Sequence, residues 1–212
     1  ILLGLVGSEM CIRDRDPPTI IRAQIRDKQK IKAVLKLSFS SDPLVRWVFP
    51  DPNMYLKFFD IWMEEFSKIS FSENIVFAED NFYGASLWHP AKFKFDESCL
   101  YPTLDWMTTQ RIELVSKFFD EFSKYHPEDA WYLAFIGVDP SKQGLSIGSF
   151  ILKEALKVID ERGERAYLES SNPKNMSLYE RHGFESMGRI QIGDSPPAHP
   201  TVSYTHLRAH ET

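Results

Sequence analysis

Apolar positions along this chain follow two periods, and the switches between them divide it into eleven segments. "PTIIRAQ" (residues 18–24) alternates as a short strand does, while "DKQKIKAVLKLSF" places Ile31, Val34, Leu35 and Phe39 at helical spacing. A second helix is predicted in "FPDPNMYLKFFDIWMEEFSKI". There Asp51 can cap and Pro52 suits the first position, and Tyr55, Phe58, Phe59, Trp62, Phe66 and Ile69 form one apolar stripe expected to face the core. "NIVFAED" and "FYGASLWHP" read as two strands around an Asp80–Asn81 turn. After the loop "KFKFDESCLYP" a long helix is predicted over residues 103–124, with Ile112, Val115, Phe119 and Phe122 on its apolar face. "AWYLAFIGV" is almost wholly apolar, as a central strand covered on both faces would be. A helix over residues 146–162 stops at Gly163, and strand "RAYLESS", helix "KNMSLYERH" and strand "ESMGRIQIG" follow. The order β-α-α-β-β-α-β-α-β-α-β predicts one mixed α/β domain with no internal repeat.

Composition narrows the function classes. With 43% hydrophobic and 26% charged residues over 212 positions, the chain suits a globular domain with a sizeable core. A net charge of −5 gives no basic footprint for nucleic acid, and no apolar run reaches the roughly 20 residues of a membrane helix.

The two ends stand apart from this picture. "GLVGSEMCIRD" and "VSYTHLRAHET" are translations of one DNA segment read in opposite directions: codons can be chosen for the second whose reverse complement encodes the first, residue for residue. They look like the translated transposase adapter of a sequencing library. Residues 16–200 are therefore expected to form the single domain, and residues 1–15 and 201–212 to be non-native ends that stay out of the fold reasoning. That exclusion removes a signal-like start and the metal-site suggestion of Cys11, His206 and His210. Only Cys99 remains, so no intrachain disulfide, no metal site and a reducing, cytoplasmic setting are expected.

"GVDPSKQGLSIGSFIL" carries the first candidate chemistry. A helix N-terminus offers free backbone N–H groups and a partial positive charge, and anions approach it where side chains are small. Gly144, Ser146, Gly148 and Ser149 keep that approach low, and Gln143-x-x-Ser146-x-Gly148 on a strand-to-helix junction suits a diphosphate. The loop has neither the Lys-Ser/Thr ending of a P-loop nor the GxGxxG of a dinucleotide fold. Alone it reads more readily as a structural connection, because glycines at such turns are commonly structural. A serine in a first helical turn needs no positive φ. The Ser146 hydroxyl is then free for a phosphate, or its Cβ crowds the approach.

Three motifs together, "VDPSKQGLSIGSFIL", "AYLESSN" and "LYERHGF", resemble the core of the GNAT superfamily of N-acetyltransferases, whose loop reads Q/R-x-x-G-x-G/A. Asn172, Tyr179, Gly183 and Phe184 match the family's last-helix pattern, Ser146 departs from its loop glycine, and the motifs cover residues 130–193. "FPDP" and "GDSPP" resemble a subgroup of the same family.

The resemblance implies a GNAT-like fold, a mostly antiparallel twisted sheet flanked by helices, with two middle strands splayed apart. Its final strand is expected to be truncated near Pro200. It further implies acetyl-CoA as cosubstrate. The pantetheine would lie on the backbone of Phe135, Ile136, Gly137 and Val138. The diphosphate would sit on N–H groups of Gln143, Gly144, Leu145, Ser146, Ile147, Gly148 and Ser149. Asn172 would touch the pantetheine or cap its helix, and both roles can hold together. Tyr179 matches the family's general acid, since a phenol stays protonated at neutral pH and can donate to a leaving thiolate. Glu169 is a candidate base, directly or through water, and is equally readable as a structural glutamate. His89 reads as a loop residue or as facing the acceptor. Trp47, Trp62, Trp88 and Trp106 identify no acceptor, because core packing accounts for them.

The expected function is N-acetyl transfer from acetyl-CoA to a primary amine of a small molecule or peptide, with a non-catalytic acyl-CoA-binding domain as the alternative. A homodimer is compatible with it; nucleic acid and membrane partners are not expected.

Overall fold

The computed structural model describes residues 17–204. Cys11, His206, His210 and the first end peptide lie outside the described residues. In chain order the elements are β1 (Ile20–Arg22), α1 (Lys28–Ser38), α2 (Pro43–Val48), α3 (Pro52–Ser72), β2 (Val76–Glu79), β3 (Gly84–His89), α4 (Thr109–Ser123), β4 (Ala130–Val138), α5 (Ile147–Glu161), β5 (Arg165–Ser170), α6 (Met176–Arg181), β6 (Phe184–Ser186) and β7 (His199–Ser203). One seven-stranded sheet runs β1-β2-β3-β4-β5-β7-β6. Only the β4–β5 pair is parallel. No helix among the described residues is long and apolar enough to cross a membrane.

Helix starts follow local capping chemistry. Asp51 accepts from the Asn53 and Met54 amides at 2.8 and 3.0 Å and opens α3 with Pro52 in its first turn. The same Asp-Pro signal, Asp42-Pro43, opens α2, a helix the periodicity did not predict because six residues are too few to show a period. The helix predicted from residue 103 begins instead at Thr109. Thr103 is held in a 3-10 stretch, where its hydroxyl oxygen accepts from Trp62 Nε1 at 2.8 Å, and Thr108 supplies the cap.

The sheet closes with β7, inserted between β5 and β6 and paired with both, in the place where the family's own last strand was expected to be cut near Pro200. β5 has an open edge of backbone donors and acceptors on this side, and a short β-prone run satisfies them. Thr201, Val202 and Ser203, at the start of the second end peptide, are all buried in it. β6 is shorter than predicted: past Ser186, where Gly188 takes φ +153°, pairing continues through the Met187 amide on the Pro200 carbonyl at 2.8 Å and an Ile190–Ala198 bridge.

The sheet carries a core on each face. Tyr55, Phe58, Phe59 and Met63 of α3 pack with Leu35 of α1 on one face, and Ile151, Leu152 and Ala155 of α5 on the other. In β4 the alternation slips by one. Leu87 pairs with Phe135 but Trp88 pairs with Leu133, so Ala134 is an extra residue, a β-bulge. Trp131 and Leu133 face α5 before it, and Ile136 and Val138 after it, which turns Phe135 to the α1–α3 face.

Candidate active site

β4 and β5 pair only through Ala130–Arg165, Trp131–Ala166 and Tyr132–Tyr167, then part. The remaining backbone of β4 on that side faces a cleft of about 790 Å³ instead of a strand. This is the expected splay. The cleft runs between Phe135–Val138 on one wall and Leu168–Glu169 on the other, and ends at the loop before α5. Of the predicted residues, Phe135, Ile136, Gly137 and Val138 line it, as do Gln143, Gly144, Ser146, Ile147, Gly148 and Ser149, with Asn172, Tyr179 and Glu169. Leu145 stays outside the lining and is 41% exposed.

Two positive backbone φ values shape the loop. Gly144 has φ +81°, and a Cβ there would meet no atom within 4 Å. Ser146 has φ +60° and ψ 7°, the left-handed region, and its side chain makes no capping hydrogen bond. This corrects the expectation that a serine there needs no positive φ: Ser146 precedes the helix as its cap rather than sitting in the first turn. The conformation that a glycine would take freely is held by a serine at a cost of about 1–2 kcal/mol.

Ser149, one turn into α5, places its Oγ 2.7 Å from His182 Nε2, tying α5 to the end of α6. Sequence reading did not single out His182, although it sits inside the "RHGF" motif. Lys142, Lys174 and Arg181 also line the cleft and make its loop end electropositive; as isolated basic residues they carried no signal.

Tyr179 is 5% exposed on α6 and packs edge-on against Phe184 at 5.9 Å. Burial and, secondarily, the charge of Asp42 raise its phenol well above the usual tyrosine value, so it holds its proton throughout the neutral range. Asp42 reaches the cleft from the start of α2, where Ser171 Oγ donates to it at 2.5 Å. Asn172 Oδ1 accepts from the Lys174 amide at 3.1 Å, the capping role, while its residue lines the cleft.

Glu169 lies on β5 where the strands part. Burial pushes its carboxyl up to about 7, against a smaller opposing pull from the neighbouring phenols of Tyr167 and Tyr132. The Tyr167 hydroxyl and Glu169 Oε2 are buried with no hydrogen-bond partner among the described residues. An orphaned carboxylate oxygen in a cleft is unusual and marks a place for a polar group.

His89 closes β3, 3% exposed, with Nε2 3.0 Å from the Phe66 carbonyl oxygen, and burial lowers its pKa to about 4. It therefore belongs to a strand end and not to a loop. Trp88 is fully buried and donates to Ser86 Oγ at 3.0 Å. Trp47 donates to Asp194 at 2.9 Å while Arg111 stacks over its ring at 4.3 Å, so the "FPDP" and "GDSPP" neighbourhoods meet in space.

Comparison with known proteins places these features. The chain is 27% identical over 181 residues to an uncharacterized N-acetyltransferase of Schizosaccharomyces pombe, covering 77% of this chain and 72% of that protein. An 81-residue stretch, 37% of this chain, is 35% identical to the mycothiol acetyltransferase of Thermomonospora curvata and covers 27% of it. Among solved structures, the Corynebacterium glutamicum histone acetyltransferase HPA2 and related acetyltransferase shares the fold with a TM-score of 0.64 at 23% identity, over 89% of this chain and 96% of that one. Arylalkylamine N-acetyltransferase 2 from Aedes aegypti does so at 0.62 and 9% identity, over 89% and 99%. The acetyltransferase (GNAT) family model matches residues 57–184, from α3 through the parted strands and the loop to the start of β6. The chain thus belongs to the GNAT family of acetyltransferases and is an acyltransferase enzyme.

Proposed function

We propose that the protein transfers the acetyl group of acetyl-CoA to the primary amine of a small molecule or peptide by direct attack. The observation that carries this reading is the parting of β4 from β5 after Tyr132 and Tyr167, which opens a cleft lined by the loop, Glu169 and Tyr179. The residues present fit the cosubstrate: Gly144 leaves the loop open before the amides of a fifteen-residue helix, and Lys142, Lys174 and Arg181 supply charge for phosphates. The bound thioester supplies an activated acyl carbon.

Glu169 takes the proton the amine must lose, because a carboxyl of pKa about 7 is a base matched to neutral pH. The amine nitrogen forms the new C–N bond as the C–S bond breaks. Tyr179 gives its proton to the departing sulfur and regains one from solvent. The single cysteine of the described residues, Cys99, is a free thiol, which suits the reducing cytoplasm as the setting.

Thiol release from acetyl-CoA across a panel of amines tests the reading. We expect Tyr179→Phe to lower kcat by about 10²-fold, the lower end of the range for a lost general acid, with little change in KM for acetyl-CoA. Full turnover in that variant removes Tyr179 from the acid role, and no turnover by the parent with any amine overturns the function.

A further inference from the structure

A second cavity of about 390 Å³ opens on the side of the sheet away from the phosphate loop, between α3, α4 and the 89–104 segment. Trp62, Phe66, Phe119, Phe122, Tyr132 and Glu169 line both this cavity and the cleft, so the two are continuous. The only carboxylate common to both is thus the one with the orphaned oxygen. We propose that this cavity is the acceptor site and that it takes an aromatic primary monoamine, its nitrogen at Glu169; the inference rests on the acetyl-transfer reading above.

The walls argue for the aromatic body. Phe66 stacks on Phe95 at 4.2 Å between centroids and meets Phe135 edge-on at 5.2 Å. Phe119 and Phe122 complete the enclosure from α4. These four rings, Phe66, Phe95, Phe119 and Phe122, are only half-buried, so they present faces to the cavity that an aromatic guest can cover. On the α3 stripe Phe59, Met63 and Trp62 are all core, with Trp62 also touching the cavity, while Phe66 is half-buried and opens onto it.

Charge argues for one amine. His89 and His126 border the cavity, and burial lowers both pKa values, so they stay neutral and do not repel an ammonium group. Glu97 and Asp120 sit at the rim, exposed, and Glu128 there lies 3.7 Å from Lys94. Rim charges in water steer any cation inward and are screened by salt, so they discriminate little. Apart from Glu169, the carboxylates lining the cavity, Glu97, Asp120 and Glu128, are all exposed, so a polyamine finds no second buried carboxylate there.

The test compares kcat/KM of the full chain for 2-phenylethylamine and tryptamine with that for putrescine, spermidine and a lysine-containing peptide, at saturating acetyl-CoA. We expect an aromatic monoamine to lead by at least about tenfold, the discrimination an apolar pocket supplies. A polyamine or peptide that equals or exceeds it overturns the inference and leaves acetyl transfer standing. Phe95→Ala should raise KM for the aromatic amine about tenfold with kcat and KM for acetyl-CoA little changed. An unchanged amine KM overturns the site. Should that variant fail to bind acetyl-CoA, Phe95→Leu, which keeps an apolar side chain and removes the ring, is read the same way. If no amine is turned over, calorimetric binding of 2-phenylethylamine to the parent decides separately. Binding that weakens in Phe95→Ala upholds the pocket while the transfer reading falls, and no binding overturns both.

Discussion

Glu169 and Ser146 show how much a single side chain's setting decides. The Glu169 carboxyl is raised from the ordinary 4.5 to about 7 by burial. As a base it works only when ionised, so kcat/KM should rise as pH passes through about 7, and Glu169→Gln should remove that rise along with most activity; a parent profile flat from pH 6 to 8 rules Glu169 out. The same shift has a stability consequence of fixed sign. Between about pH 4.5 and 7 the unfolded chain has lost a proton that the folded protein keeps, so stability falls with rising pH across that window, by about 3 kcal/mol in all. Denaturant titrations of the parent should show this slope and those of Glu169→Gln should not. Ser146 carries the opposite kind of correction. At φ +60° its Cβ costs energy, and Ser146→Gly should stabilise the protein by about 0.5–1 kcal/mol while binding acetyl-CoA at least as tightly. Weaker binding in that variant shows the hydroxyl is used. The motif made this position visible, but its dihedral belongs to the folded loop.

At the scale of elements, α1 lies against the strand that forms the cleft wall. A Cβ on Gly137 would fall 1.9 Å from Ser38 Oγ, so glycine lets the helix end approach β4 closely. Gly137→Ala should cost about 1–3 kcal/mol, read as a lowered denaturation midpoint with unchanged m-value, and should impair acetyl-CoA binding by moving the strand; an unaltered midpoint means that α1 yields freely. Periodicity marked α1, α3, α5 and β4 because each is long enough to repeat its pattern. It missed α2, which six residues and an Asp-Pro cap define. It also opened α4 too early, because the use of Thr103 by Trp62 is a contact across 41 positions. The bulge at Ala134 left no mark in a run that is apolar throughout, although it is what turns Phe135 toward the α1–α3 face.

The whole molecule depends on how its last strand closes the sheet. Among the described residues β6 pairs only with β7, and Val202 is 2% exposed beside Ala130 and Tyr167. Ending the chain after Pro200 should therefore release β6 and open the β5 edge beside Glu169. We expect a loss of about 2–4 kcal/mol, comparable with burial of one or two apolar side chains, and weaker acetyl-CoA binding. A chain so shortened that keeps its full thermal midpoint shows β7 to be dispensable. The family, the strand-to-helix junction before α5 and the apolar central strand were legible in the sequence, because motif spacing and apolar period are local properties that survive without coordinates. Tertiary structure alone decided the rest: the left-handed Ser146, the Ser149–His182 tie, the closing of the sheet by β7 and the pocket that meets the cleft at Glu169. Each of these joins residues far apart in the chain, or sets a dihedral that the surrounding packing imposes. Neither leaves a periodic trace in the order of the residues.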